Sequence, residues 1–250
     1  MKETINQSKL LTPKTLFLSL IILSFFFLIF LSQQSRKSMQ KPISGNPTPT
    51  SNLDLKIRPG YNSYDTYIHH QLKKTTNPKL RKIWTTRDWD RKIQVFQQFF
   101  NNLKQENLLS NSSKALCVGA RVGQEVEALK RVGVNDSIGL DLVPYPPNVI
   151  KGDFHHQPFN DTTFDFEFSN VFDHALYPDR FVGEIERTLK PGGICVLHVA
   201  VSRRSDKYSA NDLYSIEPLK KLFNGSEMVR SRKVDGFGLD TEVVFRKKEI

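Results

Sequence analysis

ALCVGARVGQEVEALKRVG, residues Ala115–Gly133, reads as a strand, a glycine turn and a helix. Ala115-Leu116-Cys117-Val118 is an apolar run with no polar break, the pattern of a strand covered on both faces in a parallel sheet. Gly119 and Gly123 bracket the turn. Beyond it Val126, Leu129 and Val132 recur at helical spacing, with Glu125, Glu127 and Lys130 placed elsewhere around the helix. Gly133 follows where a helix usually ends. Glycines in such a turn let a ligand approach the backbone, and the helix start offers free N–H groups. The same turn also serves as a plain strand-to-helix link in any α/β domain, so its neighbours decide its chemistry.

Those neighbours repeat the pattern. Ile138–Leu142 reads as a second strand ending near Asp141, about 20 residues past the turn, where a carboxylate can accept from both hydroxyls of a ribose. A strand-end Asp also forms ordinary turns. Pro144, Pro146 and Pro147 forbid a full helix in the next link. Asn148–Lys151 can form a third short strand, with Asp153 just beyond it. Phe164–Ser169 is a fourth strand, Pro178–Leu189 a helix and Ile194–Ala200 a fifth strand. Ser202–Asp212 is a polar loop, and Ser215–Phe223 a short helix with Ser215 as N-cap. Glu227–Lys233 and Thr241–Lys247 pair as an antiparallel hairpin. Ligands of such sheets bind at the C-terminal strand ends, so Gly119, Asp141 and Asp153 are expected to converge on one crevice.

Outward from this core, residues 61–110 are helical in character and form a helical cap, with the core domain over 111–250. From Asp88 to Leu109 the apolar positions Trp89, Ile93, Phe96, Phe99, Phe100 and Leu103 are amphipathic, and Asp88 is placed to cap the helix. Lys79, Arg81, Lys82, Arg87, Arg91 and Lys92 cluster at its start; they read as a solvated face, or else as an RNA- or membrane-facing patch. Residues 33–60, rich in Ser, Gln, Pro and Lys, read as a flexible stem. Residues 15–32 are an uncharged apolar run of the length of a short transmembrane anchor, after a polar tail over 1–14. A short, Phe-rich span suits the thinner membranes of the endoplasmic reticulum or Golgi. The charges flanking it nearly tie. Four Asn-x-Ser/Thr sequons, at Asn111, Asn135, Asn160 and Asn224, follow the span and tilt the reading toward a lumenal domain.

Net charge is +10, of which residues 1–60 hold +6. The globular body is only mildly basic, which makes nucleic acid an unfavoured partner. The two cysteines, Cys117 and Cys195, fall in buried strands and offer neither metal spacing nor a disulfide framework. No metal is expected.

The stretch Gly152–Gly193 carries an ordered set of signatures: Gly152-Asp153, Pro158-Phe159, Asp161, Phe164-Asp165, Asp173-His174, Pro178, Glu184, Arg187 and Leu189-Lys190-Pro191-Gly192-Gly193. With Ala115–Ala200 as a whole, it resembles the class I S-adenosylmethionine-dependent methyltransferases, in particular the methyltransferase type 11 group and its plant membrane-anchored members. The resemblance implies a Rossmann-like α/β fold with a mostly parallel seven-stranded sheet whose last strand runs antiparallel. It implies S-adenosyl-L-methionine as cofactor, held by Gly119, Ala120, Arg121, Gly123, Asp141, Leu142, Asp153, Phe154, Ser169 and Asn170. In that scheme Asp141 takes the ribose, Asp153 and Phe154 the adenine, and Gly119, Gly123, Ser169 and Asn170 the methionine end. His174 sits where an acceptor meets the sulfonium and can orient it or take a proton; a local hydrogen bond to Asp173 is the plainer role.

Two residues depart from the group. It usually has an acid where this chain has Cys117 and a glycine where it has Arg121. Both changes bear on activity, and the proline-rich link replaces a helix. The expected function is a membrane-anchored methyltransferase acting on a small organic acceptor, an acceptor type also hinted at by His155-His156 and the aromatic cap. An inactive scaffold of the same fold and an RNA methyltransferase are the alternatives. Substrate is expected to enter between residues 61–110 and the Ser202–Asp212 loop. The oligomeric state is open.

Overall fold

The computed structural model describes residues 54–202 and 206–249. The tail, the apolar run over 15–32 and most of the stem lie outside these residues. Among the described residues no helix is long and apolar enough to cross a membrane.

The fold is a seven-stranded sheet with helices on both faces. Its strands are β2 (Ala115–Val118), β3 (Ser137–Asp141), β4 (Val149–Lys151), β5 (Phe164–Ser169), β6 (Leu189–Val199), β8 (Ser226–Gly236) and β9 (Leu239–Lys247), in the order β4-β3-β2-β5-β6-β9-β8. The first five run parallel. β9, last in the chain, inserts antiparallel between β6 and β8. The order reverses at β2, and on either side of it the C-terminal strand ends open a crevice. A separate two-stranded sheet pairs β1 (Leu55–Ile57) with β7 (Asn211–Leu213). The stem expected over 33–60 therefore stops short of residue 54, and the expected loop over 202–212 ends in a strand. Arg58 locks this small sheet with a forked pair to Asp212, at 2.9 and 2.7 Å.

Side-chain alternation explains why the sheet is buried on both sides. On β2, Ala115 and Cys117 join one core while Leu116 and Val118 join the other. β6 divides in the same way, with Ile194 and Val196 on one face and Cys195 and Leu197 on the other.

Helices α1 (Tyr64–Thr75), α2 (Pro78–Thr85) and α3 (Trp89–Gln105) precede the sheet. α3 is not part of a cap. Its stripe Ile93, Phe96, Phe100 and Leu103 packs on Phe166 and Phe168 of β5 and on Val196 and Val244, beside α4 (Gln124–Arg131). Each of these rings removes enough apolar surface from water to contribute roughly 1.5–3 kcal/mol. α1 and α2 overhang the crevice. Asp88 makes no capping hydrogen bond at the start of α3; it faces Arg87 and Arg91 instead. On the other face α5 (Pro178–Thr188) and α6 (Glu217–Leu222) cover Leu116, Leu197 and Phe245. Ser215 is not the N-cap of α6: Ile216 holds that place with no side-chain capping bond, and the Ser215 hydroxyl donates to Asp54 at 2.7 Å. The Leu189–Gly193 segment, expected only to end a helix, already runs in β6.

Candidate functional site

The C-terminal ends of β2, β3 and β5, overhung by α1 and α2, enclose a cavity of about 790 Å³. Of the residues singled out above, Gly119, Arg121, Asp141, Leu142, Phe154, Asn170 and His174 line it. The volume is of the size that takes a cofactor with a small acceptor.

Asp141 ends β3 nine-tenths buried. Its Oδ2 accepts from the Arg121 N–H at 2.9 Å and its Oδ1 from the Val143 N–H at 3.2 Å. Burial pushes its carboxyl up, and the two backbone hydrogen bonds and Arg121 oppose that. Each oxygen keeps a lone pair for a ligand hydroxyl. The turn that brings Arg121 there is strained: Gly119 has φ +78° and Arg121 φ +49°. A Cβ at Gly119 would overlap Val171 Cγ2. The Arg121 guanidinium lies over the Trp84 ring of α2 at 5.2 Å, neither outside the cavity nor folded away.

Three expected ligand residues do not line the cavity. Ala120 packs in the core, where a Cβ on Gly139 would come within 2.7 Å of it. Gly123 has φ +81° and faces Asn148 and Val149, so its lack of a side chain serves helix–strand packing. Ser169 is buried and donates to the Val118 carbonyl at 3.0 Å. A fourth, Asp153, is engaged by its own chain. Its carboxylate receives a short hydrogen bond from the Tyr64 hydroxyl of α1 and one from the His155 N–H at 2.9 Å. Burial raises the Asp153 carboxyl, but the hydrogen bonds from His155 and Tyr64 outweigh it and hold it low.

His174 is the last residue of a one-turn 3-10 helix, Phe172–His174, and faces the cavity. Gln71 of α1 donates its amide to the Tyr208 carbonyl at 2.7 Å, which turns its Oε1 toward His174 Nδ1 at 2.9 Å. His174 Nδ1 therefore carries the proton, and the Nε2 lone pair accepts from Lys74 Nζ at 3.2 Å. Lys74 in turn pairs with Asp206 at 2.5 Å. Burial, with Lys74 and Arg121, depresses the imidazole; Asp173, at 3.9 Å, is too far to hydrogen-bond and only partly opposes this. Gln71, Lys74 and Asp206 were not legible as site residues, because they meet His174 only through the crossing of α1 with the 206–208 segment.

Two more residues escaped the sequence. Lys92 is 7% exposed yet lines the cavity. A signal existed: it lies three residues after Trp89 and four before Phe96, on the apolar stripe of α3. Glu125, read only as lying away from the apolar side of α4, is buried. Its Oε1 accepts from Asn170 at 3.1 Å, and its Oε2 has no hydrogen-bond partner among the described residues. Burial, and after it the Glu125 carboxylate, push the Cys117 thiol far up. An acid thus stands beside Cys117, supplied from the helix instead of the strand.

Among the described residues no cluster of His, Cys, Asp or Glu could hold a metal. Residues 116–197 match the family described as Methyltransferase domain. Sterol 24-C-methyltransferase erg6 of Schizosaccharomyces pombe is 41% identical over 63 residues, covering 25% of this chain and 16% of that protein. Sterol methyltransferase-like 2 of Botryococcus braunii is 35% identical over 78 residues, covering 31% and 20%. The aligned part thus spans a fifth or less of these relatives. Among solved structures, the 1,6-didemethyltoxoflavin-N1-methyltransferase of Burkholderia thailandensis superposes with a TM-score of 0.57 at 15% identity, over 78% of this chain and 95% of that one. The [4+2]-cyclase SpnF superposes at 0.51 and 16% identity, over 61% and 80%, so the fold by itself does not set the reaction. Residues 116–197 are a methyltransferase domain of the type 11 family, in the Rossmann-like fold of the class I S-adenosylmethionine-dependent methyltransferases.

Proposed function

We propose that the chain is an S-adenosylmethionine-dependent methyltransferase acting on a small organic acceptor. The observation that carries the reading is the convergence of Gly119, Asp141, Leu142, Phe154 and Asn170 on one cavity, with His174 across it. The Burkholderia neighbour was solved with S-adenosylhomocysteine and 1,6-didemethyltoxoflavin bound, and the curated relatives are sterol methyltransferases. These favour a small molecule over RNA as acceptor.

The cofactor supplies a methyl group on a sulfonium sulfur. This chain's residues position the partners, since in-line displacement depends mainly on alignment. Asp141 would hold the ribose hydroxyls and Phe154 would take the adenine. Asn170, which donates to the buried Glu125, and the Gly119 backbone would hold the methionine end. Neutral His174, fixed in one tautomer by Gln71 and Lys74, orients the acceptor or takes its proton. The inactive-scaffold reading rests on Cys117 and Arg121; Glu125 beside Cys117 weakens the first of these grounds.

Anchoring through residues 15–32, with the domain in the lumen of the endoplasmic reticulum or Golgi, completes the proposal. All four sequons after the span, Asn111, Asn135, Asn160 and Asn224, are exposed and open to glycosylation. Calorimetric titration of S-adenosylmethionine into the full chain tests the enzyme reading: no binding at millimolar cofactor overturns it. Binding that Asp141→Ala leaves unchanged overturns the ribose assignment. Glycan occupancy at Asn111 or Asn224 in cells tests the orientation.

A further inference from the structure

The cavity has an unusual charge. Lys74, Lys79, Lys92, Arg121 and Lys207 line it, against Asp141, Asp173 and Asp206. The Asp206 carboxylate is taken by Lys74, and Asp173 accepts from the Ser209 hydroxyl. Asp141 holds two backbone N–H groups. The lining thus keeps five cations against three carboxylates.

Two of the cations lie together. Lys92 is buried, and its ammonium sits 4.8 Å from the centroid of the Phe237 ring at the β8–β9 turn. The Arg121 guanidinium lies over the Trp84 ring. Among the described residues, neither head group has an acid within hydrogen-bonding distance. Of the nearby acids, Asp88 pairs with Arg87 and Arg91; Glu125, hydrogen-bonded through Oε1 to Asn170, acts on both cations at longer range, and burial raises its carboxyl toward the neutral form. Two like charges placed close together, Lys92 buried and neither in a salt bridge among the described residues, leave a net positive charge that an anionic ligand would offset. Aromatic rings fix both heads in position and do not neutralise them.

S-adenosylmethionine does not balance this charge. Its sulfonium and ammonium outnumber its one carboxylate, so it enters as a net cation. The compensating charge has to come with the second ligand. We propose that Lys92 and Arg121 form an anion site in the cavity, and that the acceptor carries a carboxylate or phosphate bound there. The proposal rests on the methyltransferase reading for the word acceptor, but the anion site itself does not.

The shared chemistry has one competing source, the cofactor's own carboxylate. The test uses the full chain and four probes in calorimetry: benzoate, inorganic phosphate, S-adenosylhomocysteine and 5′-methylthioadenosine, which lacks the amino-acid tail. Benzoate or phosphate is expected to bind the S-adenosylhomocysteine-loaded chain, and Lys92→Met to weaken that binding about ten- to a hundredfold. Lys92→Arg should retain it, which separates charge from packing. Arg121→Gln should weaken it by a smaller factor. If neither anion binds, or if Lys92→Met leaves binding unchanged, the anion site is overturned. If Lys92→Met instead weakens S-adenosylhomocysteine tenfold or more and spares methylthioadenosine, the cations read the cofactor's tail and the anionic acceptor is overturned. If the wild-type chain binds no adenosyl ligand, the methyltransferase reading fails, and anion titration of the unloaded chain still decides the site.

Discussion

A cation kept inside a protein without a partner should lower stability, and Lys92 makes that measurable. Burial, and after it repulsion from Arg121, bring its ammonium down from 10.5 to about 8. At pH 7 the folded chain still holds the proton, at a cost of roughly 3 kcal/mol to the charged form. Lys92→Met keeps the length and apolar character of the side chain and removes the charge. It also forfeits the contact with Phe237, worth about 0.5–1 kcal/mol. The net expectation is a gain of about 2 kcal/mol at pH 7, or roughly 4–8 °C in Tm for a domain of this size.

The pH dependence provides the sharper check. Between about pH 8 and 10.5 the unfolded wild-type chain still holds the Lys92 proton that the folded chain has released. Wild-type stability therefore gains on the variant's across that window, and the gap between them closes. Urea denaturation followed by tryptophan fluorescence at pH 7, 9 and 10.5 reads this directly. Lys79→Met, at an exposed position on the same cavity, should change stability by less than about 0.5 kcal/mol. A less stable Lys92→Met, or a gap that stays constant up to pH 10.5, would refute the reasoning.

Other substitutions probe the rest of the site. Gly119→Ala combines a left-handed backbone, about 1 kcal/mol, with overlap on Val171, about 1–3 kcal/mol. In a double-mutant cycle by chemical denaturation, Val171→Ala should recover most of the second part, and purely additive effects would rule out the overlap. His174 is kept neutral by burial, so the unfolded chain gains a proton below the ordinary value of 6.5 that the folded chain resists. Wild-type stability should then fall by up to about 1.4 kcal/mol per pH unit as the solution is acidified below 6.5. His174→Gln should lose that part of the acid slope, and equal slopes from pH 7 to 5.5 would contradict it. Tyr64→Phe removes the donor to Asp153, and a loss of about 1.5–3 kcal/mol in urea denaturation is expected. A loss under about 0.5 kcal/mol would mean that this contact does not hold α1 over the crevice.

Much of the architecture is written in local patterns. Ala115–Val118 and Phe164–Ser169 are unbroken or aromatic-rich runs, and both became interior strands of the parallel sheet. Gly133 lies where α4 stops, at φ +92°. Asp141 and His174 reached the cavity because strand ends and the turns after them are set by the same short-range signals. The basic cluster before α3 was less transparent. Arg87 and Arg91 are solvated as expected, but Lys92, one residue on, turns inward. The difference is one helical step of about 100°, which composition cannot register.

The sequence by itself determined the order of strands and helices, the crevice at their C-terminal ends and the family of the domain, because these follow from periodicity, turn chemistry and an ordered set of motifs. Tertiary structure alone decided what each side chain near the crevice faces. It turned Ala120, Gly123 and Ser169 to packing and gave Asp153 to Tyr64. It also set Glu125 beside Cys117 and left Lys92 and Arg121 without an acid partner. Burial and electrostatic partnership depend on which distant elements cross. Here α1 and α2 come from far outside the motif region, and no local pattern records where they lie.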